Sequence, residues 1–243
     1  ALQEVSYTEN SKLESIGEGA FSGCTALTTT ELVPGLKELG ASAFNNCSKL
    51  NMSMELPTGL TKIGSNTFNG CSSLTGEVTF PENLTSIGDY AFRYCRKLTG
   101  NLDIPDNVTS IGYMAFYDCS GFDGTLKLPE KLKNIPGYAF YNCSGLTGEL
   151  EIPAKIEQIG YSSFSGLNKI TALTIGESVN YINTDYGSNH AFYNWAEVET
   201  VRFLGTTPPS ASNSGYSIFL NMPNLKTVYI PQGTYQAYSS AYG

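Results

Sequence analysis

Apolar and polar positions alternate within one short unit that returns along the chain. In residues 98–119, LTGNLDIPDNVTSIGYMAFYDC, Leu102 and Ile104 stand two apart beside polar Asn101 and Asp103, the period of a strand with one buried face. Pro105 has no amide proton to give the ladder and ends it. Val108 and Ile111 bring the chain back over the apolar interior, and Gly112 offers backbone freedom that a side chain would resist. Ala115, Phe116 and Cys119 then fall at offsets of one and four, which predicts a short helical or 3₁₀ turn.

A coil of this length cannot bury both sides of its apolar set alone, so it must stack on copies of itself. The copies are present. The bulky residue of the Ile-Gly pair recurs as Ile16, Leu39, Ile63, Ile87, Ile111, Ile135, Ile159 and Ile182, and the phenylalanine as Phe21, Phe44, Phe68, Phe92, Phe116, Phe140, Phe164, Phe192 and Phe219. This predicts one solenoid over 1–243: a partial coil at 1–24, repeats at 25–205, and a last coil with a cap at 206–243. The second coil places Glu31 where an apolar residue is expected, which reads as an imperfection or a shifted register. After residue 160 the copies drift, and an insertion, NTDYGSNH, precedes Ala191. In the tail, Tyr235, Tyr238 and Tyr242 have the spacing of one face of a short helix laid over the last coil.

Composition adds limits. The 243 residues are 41% hydrophobic and 15% charged, with 25 Gly and a net charge of -8. The acidic balance argues against nucleic acid as a partner. No run approaches the roughly 20 apolar residues of a membrane span. The chain starts at Ala1 without a signal-peptide pattern, so either a signal has been removed or there was none.

Six cysteines, Cys24, Cys47, Cys71, Cys95, Cys119 and Cys143, repeat at 23 and then 24 residues, and Leu167, Trp195 and Met222 take their place later. That substitution favours buried free thiols; neighbour pairing, such as Cys24 with Cys47, is the alternative. No metal spacing and no cofactor motif is present. The single histidine, His190, lies beside Asp185 in the insertion and reads as a solvated loop residue rather than a catalytic base.

Two stripes remain as candidate binding surfaces. One follows the outward strand positions and is mostly acidic: Glu55, Glu77, Asp103, Glu149 and Glu151, until Arg202. It reads as a solvated face or as a concave surface for a basic patch. The other surrounds the short turn: Tyr90, Tyr94, Tyr113, Tyr117, Tyr138, Tyr141, Tyr161 and Tyr193, where earlier coils carry Ser22, Asn45 and Asn69. Repetition suggests a ladder of stacked rings; confinement to the middle coils suggests a site.

The phrase Ile-Pro, Val or Leu, Thr-Ser-Ile-Gly, Ala-Phe, Cys, Leu-Thr, nearly complete in residues 106–119, resembles the BspA-type leucine-rich repeat family, as do GTTPP and LKTVYIPQGTYQAY near the end. The resemblance implies an α/β repeat: a right-handed leucine-rich-repeat solenoid of about nine coils, each a short strand plus a short helical or 3₁₀ segment. It further implies a secreted or cell-surface bacterial protein, non-enzymatic, adhering to a host or microbial surface protein. The alternatives are a carbohydrate-binding module using the tyrosines, and a structural spacer. Oligomeric state is left open.

Overall fold

A computed structural model describes residues 1–8, 11–184, 190–211 and 218–242. It is a parallel β-solenoid of about eight turns. The nine phenylalanines do not yield nine full coils: among the described residues the first unit forms no leading strand, only the bridge of Glu4 with Thr29 and the hydrogen bond from the Thr28 amide to the Gln3 carbonyl.

From Leu102 onward each coil before the last holds two strands where the periodicity predicts one, and in the coils just before Leu102 the leading side is reduced to isolated bridges such as that of Glu55 with Thr79. The leading strand is the expected one: Leu102–Asp103, Leu126–Lys127, Thr147–Ile152, Lys169–Ile175, Thr200–Phe203 and Thr227–Tyr229. The return strand, at the Ile-Gly step, runs through Ser15–Ile16, Glu38–Leu39, Lys62–Ile63, Ser86–Ile87 and Ser110–Ile111, then through Asn134–Ile135, Gln158–Ile159 and Tyr181–Ile182. All pairs are parallel, and equivalent residues face each other: Ile63 with Ile87, Ile87 with Ile111. Two residues are too short a run for a period-of-two signal, so this strand escapes sequence reading.

The segment expected to be helical or 3₁₀ is neither, which corrects the α/β assignment. The Ala43, Asn45 and Cys47 amides donate three residues back, to the Gly40, Ser42 and Phe44 carbonyls. Between them, Ser42, Phe44 and Asn46 donate sideways to Ser65, Thr67 and Asn69 of the next coil. Ser42 and Asn46 hold φ at 57° and 58°, and each left-handed residue stops the helix after a single turn. The product is a ladder of tight turns. The one helix among the described residues is Tyr235–Tyr242. Tyr238 docks, its ring 5.1 Å from Phe203 and its hydroxyl donating to the Gly205 carbonyl at 2.7 Å, whereas Tyr235 is 76% exposed, so the tyrosines do not share one face. The side chain of Tyr242 lies outside the described residues.

The phenylalanines run down the axis with consecutive ring centroids 5.2 to 5.6 Å apart from Phe21 to Phe192, nearly parallel at most steps. Beside them run the cysteines, all free; five are buried and Cys24 is half-buried. The expected free thiols are therefore present, and they do more than fill space. Each Sγ from Cys47 to Cys143 donates to the phenylalanine carbonyl of the preceding coil, as Cys119 does to Phe92 at 2.9 Å and Cys143 to Phe116 at 3.1 Å. Burial holds these thiols protonated, pushing Cys47 up to about 11 and Cys143 up to about 12. Trp195 inherits both roles, filling the core and donating Nε1–H to the Phe164 carbonyl at 2.7 Å.

Three local expectations are resolved. Glu31 is exposed while Thr30 and Val33 are buried and Leu32 is half-buried, so the inward position of the second coil shifts back by one residue onto Thr30, the shifted register its sequence suggested. The Ile-Gly glycine serves close approach rather than a left-handed φ: a Cβ on Gly64 would lie 2.5 Å from the Ala41 amide nitrogen. The drifting C-terminal third keeps its leading strands, seven residues at Lys169–Ile175 and four at Thr200–Phe203, although Gly176 and Leu204 rather than proline follow them.

One step breaks the pattern. Gly112 and Gly160 donate their amides to the Ile87 and Ile135 carbonyls, both at 2.8 Å. Pro136 occupies the equivalent place and has nothing to donate. The return ladder accordingly parts between Ser110–Ile111 and Asn134–Ile135.

Candidate recognition surface

Seven of the eight tyrosines meet over this break. Tyr90 and Tyr113 lie 5.5 Å apart, Tyr94 and Tyr117 5.7 Å, Tyr113 and Tyr138 6.0 Å, and Tyr138 and Tyr161 5.1 Å, each pair nearly perpendicular. Tyr117 and Tyr141 stack at 4.8 Å, and Tyr138 joins both. All seven are half-buried. Tyr193 stands apart, its ring 6.4 Å from that of His190.

The patch is not a ladder, because its rings come from four different places in the coil. Tyr113 and Tyr161 precede the phenylalanine by three residues, Tyr90 and Tyr138 by two; Tyr117 and Tyr141 follow it by one, Tyr94 by two. Three of them take the left-handed backbone required there: Tyr90 at 58°, Tyr94 at 66° and Tyr138 at 55°. Other turns use Gly23, Ser42, Asn46, Asn66, Gly70, Met114 or Ser162 in these places, so the left-handed conformation belongs to the repeat and only the bulk of the tyrosines is particular to the patch. A bulky residue in this conformation costs roughly 1–2 kcal/mol, and strain of this kind collects at functional sites. Gly137 belongs to the same construction, since a Cβ there would lie 2.8 Å from the Tyr161 ring. Its absence lets Tyr161 reach Tyr138 and, at 6.3 Å, Tyr113. Burial, and after it the Tyr161 hydroxyl, push the pKa of the Tyr113 hydroxyl up, so it stays a neutral donor.

Sequence reading missed Arg93. It holds the place of Tyr117 and Tyr141 one coil earlier, and its guanidinium carbon lies 4.3 Å from the Tyr94 centroid, 5.5 Å from Tyr117 and 5.6 Å from Tyr90. Nη2 donates to the Tyr94 hydroxyl at 2.8 Å. Arg96 lies 4.8 Å over the outer part of Tyr94 and ion-pairs with Asp118 at 2.5 Å. The available signal was one cation in a column of Asn and Tyr.

The acidic stripe is exposed throughout but does not form one site. Glu77 and Asp103 share a shallow groove of about 270 Å³ with Glu82 and Lys127. Asp103 pairs in register with Lys127, which bridges Asp106 at 3.3 Å. Glu55 lines a separate depression with Glu31, and Glu149 another with Glu197 and Glu199. Glu151 lies one strand from Thr174, which adjoins Arg202; that guanidinium lies 4.6 Å from the Tyr229 ring.

His190 is buried, against the expectation of a solvated residue. The antiparallel bridge of Thr184 with His190 seats it against the stack, and Asp185 lies outside the described residues. Among the described residues no helix is long and apolar enough to cross a membrane.

The coil geometry is that of a leucine-rich-repeat solenoid, and the comparisons agree. The BspA type leucine rich repeat region matches residues 2–123 and 124–243, in six copies, and the chain belongs to that family. A leucine-rich repeat protein from Bacteroides ovatus is similar over 94% of this chain and 63% of its own, with 25% identity and a TM-score of 0.68. The chain therefore spans less than two thirds of that protein. The T. pallidum leucine rich repeat protein shares 27% identity over 73% of this chain and 75% of its own, with a TM-score of 0.53. The pneumococcal vaccine antigen PcpA shares the fold at 18% identity over 100% of this chain and 69% of its own, with a TM-score of 0.53. No curated protein matches the chain. Nothing in these similarities indicates a catalytic family.

Proposed function

We propose that residues 1–243 act as one recognition unit of a bacterial surface or secreted protein, and that the tyrosine patch around Arg93 binds a protein partner in adhesion to host or microbial surfaces. The observation that carries this reading is the convergence of seven rings from four coil positions, three of them in strained backbone. A stacked ladder needs no convergence from four positions. Tyrosine and arginine are the residues in which interface energy concentrates. The ring orientations favour protein over glycan. Sugar binding needs open, coplanar faces, and here the faces are taken up by perpendicular neighbours, by the Tyr117–Tyr141 stack and by Arg93. The acidic row of Glu55, Glu77, Asp103, Glu149 and Glu151 supports a second, salt-sensitive contact at most. A pure spacer would carry no such patch.

The test is an array of extracellular matrix and microbial surface proteins beside an array of glycans, probed with the intact chain and with a Tyr113→Ser, Tyr117→Ser double variant. Protein hits that fall at least tenfold in the variant, at a nearly unchanged thermal midpoint, are expected. Glycan hits alone, or protein hits indifferent to the variant, would sink the reading.

A further inference from the structure

We propose that Arg93 anchors this surface to a carboxylate on an extended acidic segment of the protein partner; the inference rests on the tyrosine patch being the docking face. The chain has 22 acidic and 14 basic residues; among the described residues Lys37, Arg96, Lys127 and Lys226 have a carboxylate partner, and every other cation that lacks one is exposed to solvent, whereas Arg93 is half-buried. Arg93, inside the most ring-dense part of the surface, has no such partner. Its Nε is buried without an acceptor, and its only side-chain hydrogen bond among those residues is to the Tyr94 hydroxyl. Exposed to water on one side, this arrangement is tolerable. Once a partner covers the rings it is not, because a desolvated cation without a counter-charge is strongly unfavourable. A partner that fits must therefore bring an anion to Arg93, and a planar guanidinium on aromatic faces is preorganised for a carboxylate.

The surroundings choose among anions. Asp89 and Asp118 are already engaged, Asp89 accepting the Tyr113 amide at 2.7 Å and Asp118 accepting from Asn142 and Arg96. Their negative charge repels a densely sulfated chain more than it repels a single carboxylate. The exposed tyrosine edges and hydroxyls suit the unpaired carbonyls of an extended peptide, which carry open acceptors.

Two experiments test this. In the first, the intact ¹⁵N-labelled chain is titrated with the peptides Ac-Ala-Glu-Pro-Glu-Ala-NH₂ and Ac-Ala-Gln-Pro-Gln-Ala-NH₂ while the Arg93 Nε–H resonance, assigned with Arg93→Lys, is followed. A saturable shift with the Glu peptide alone, weakened between about 0.1 and about 0.5 M salt, is expected. Equal shifts with both peptides, or none with either, overturn the assignment. A shift with sialylated or sulfated oligosaccharide but not with peptide overturns it in favour of an acidic glycan. In the second, Arg93→Gln and Arg93→Lys are run on the protein array, with at least a tenfold loss expected for Gln, no rescue by Lys and an unchanged thermal midpoint. Hits that survive Arg93→Gln but fall in the Tyr113, Tyr117 double variant leave the surface intact and remove the anchor; hits that survive both remove the two together.

Discussion

The phenylalanine column and the tyrosine patch are both aromatic arrays that cross coils, yet they are built in opposite ways. The column uses one coil position over and over; its rings are nearly parallel and buried from Phe44 to Phe192. The patch uses four positions, sets its rings on edge, strains three backbones and crosses the step where Pro136 opens the return ladder. The column follows the repeat, and its benefit is the stacking energy of the fold. The patch departs from the repeat, so local stability alone does not account for it.

The largest expected effect lies in the column. Phe116→Ala should cost about 3–5 kcal/mol in chemical denaturation, the range for a fully buried ring that leaves a cavity. A comparable loss for Tyr117→Ala would erase the contrast, because a half-exposed ring should cost only about 1 kcal/mol. Next comes alkaline pH. The buried thiols hold their protons in the fold and lose them near the ordinary value of 9.0 once unfolded, so folding is favoured below that value and weakened above it. Unfolding monitored by circular dichroism should ease progressively from pH 9 toward the raised values of about 11 for Cys47 and about 12 for Cys143. A stability profile flat over that window would mean the thiols are not buried as described.

Gly137→Ala sharpens the other side. Its Cβ must push the Tyr161 ring away, which should lower stability by about 1 kcal/mol and lower partner binding on the protein array several-fold. The smallest effect is the most diagnostic: Tyr94→Gly removes a ring but relieves a left-handed tyrosine. The thermal midpoint should stay within a few degrees while partner binding drops. A midpoint falling as far as for Phe116→Ala would make the patch structural after all.

Much of the fold was legible because a solenoid writes its period into the chain. The phenylalanines and cysteines, and the leading strands from Leu102 onward, were placed correctly since each repeats in register. The return strand was not legible at two residues per coil, and Ala-Phe-x-x-Cys mimics a helix because consecutive i to i−3 turns share its spacing. For the candidate site, the tyrosines could be counted but not gathered. Nothing in the spacing tells Tyr193 from Tyr141, and Arg93 looked like an ordinary surface cation until three rings were found around it.

The sequence by itself determined that this protein is a stack of coils with a continuous apolar interior, because only stacking can satisfy a repeated half-buried unit. It also determined that the cysteines belong to that interior, since Leu167, Trp195 and Met222 replace them. Only the tertiary structure decided which side chains share a surface. Residues about 24 apart become neighbours by lateral pairing, and their ring angles, strained backbones and missing counter-charges arise between coils, where no single stretch of sequence records them.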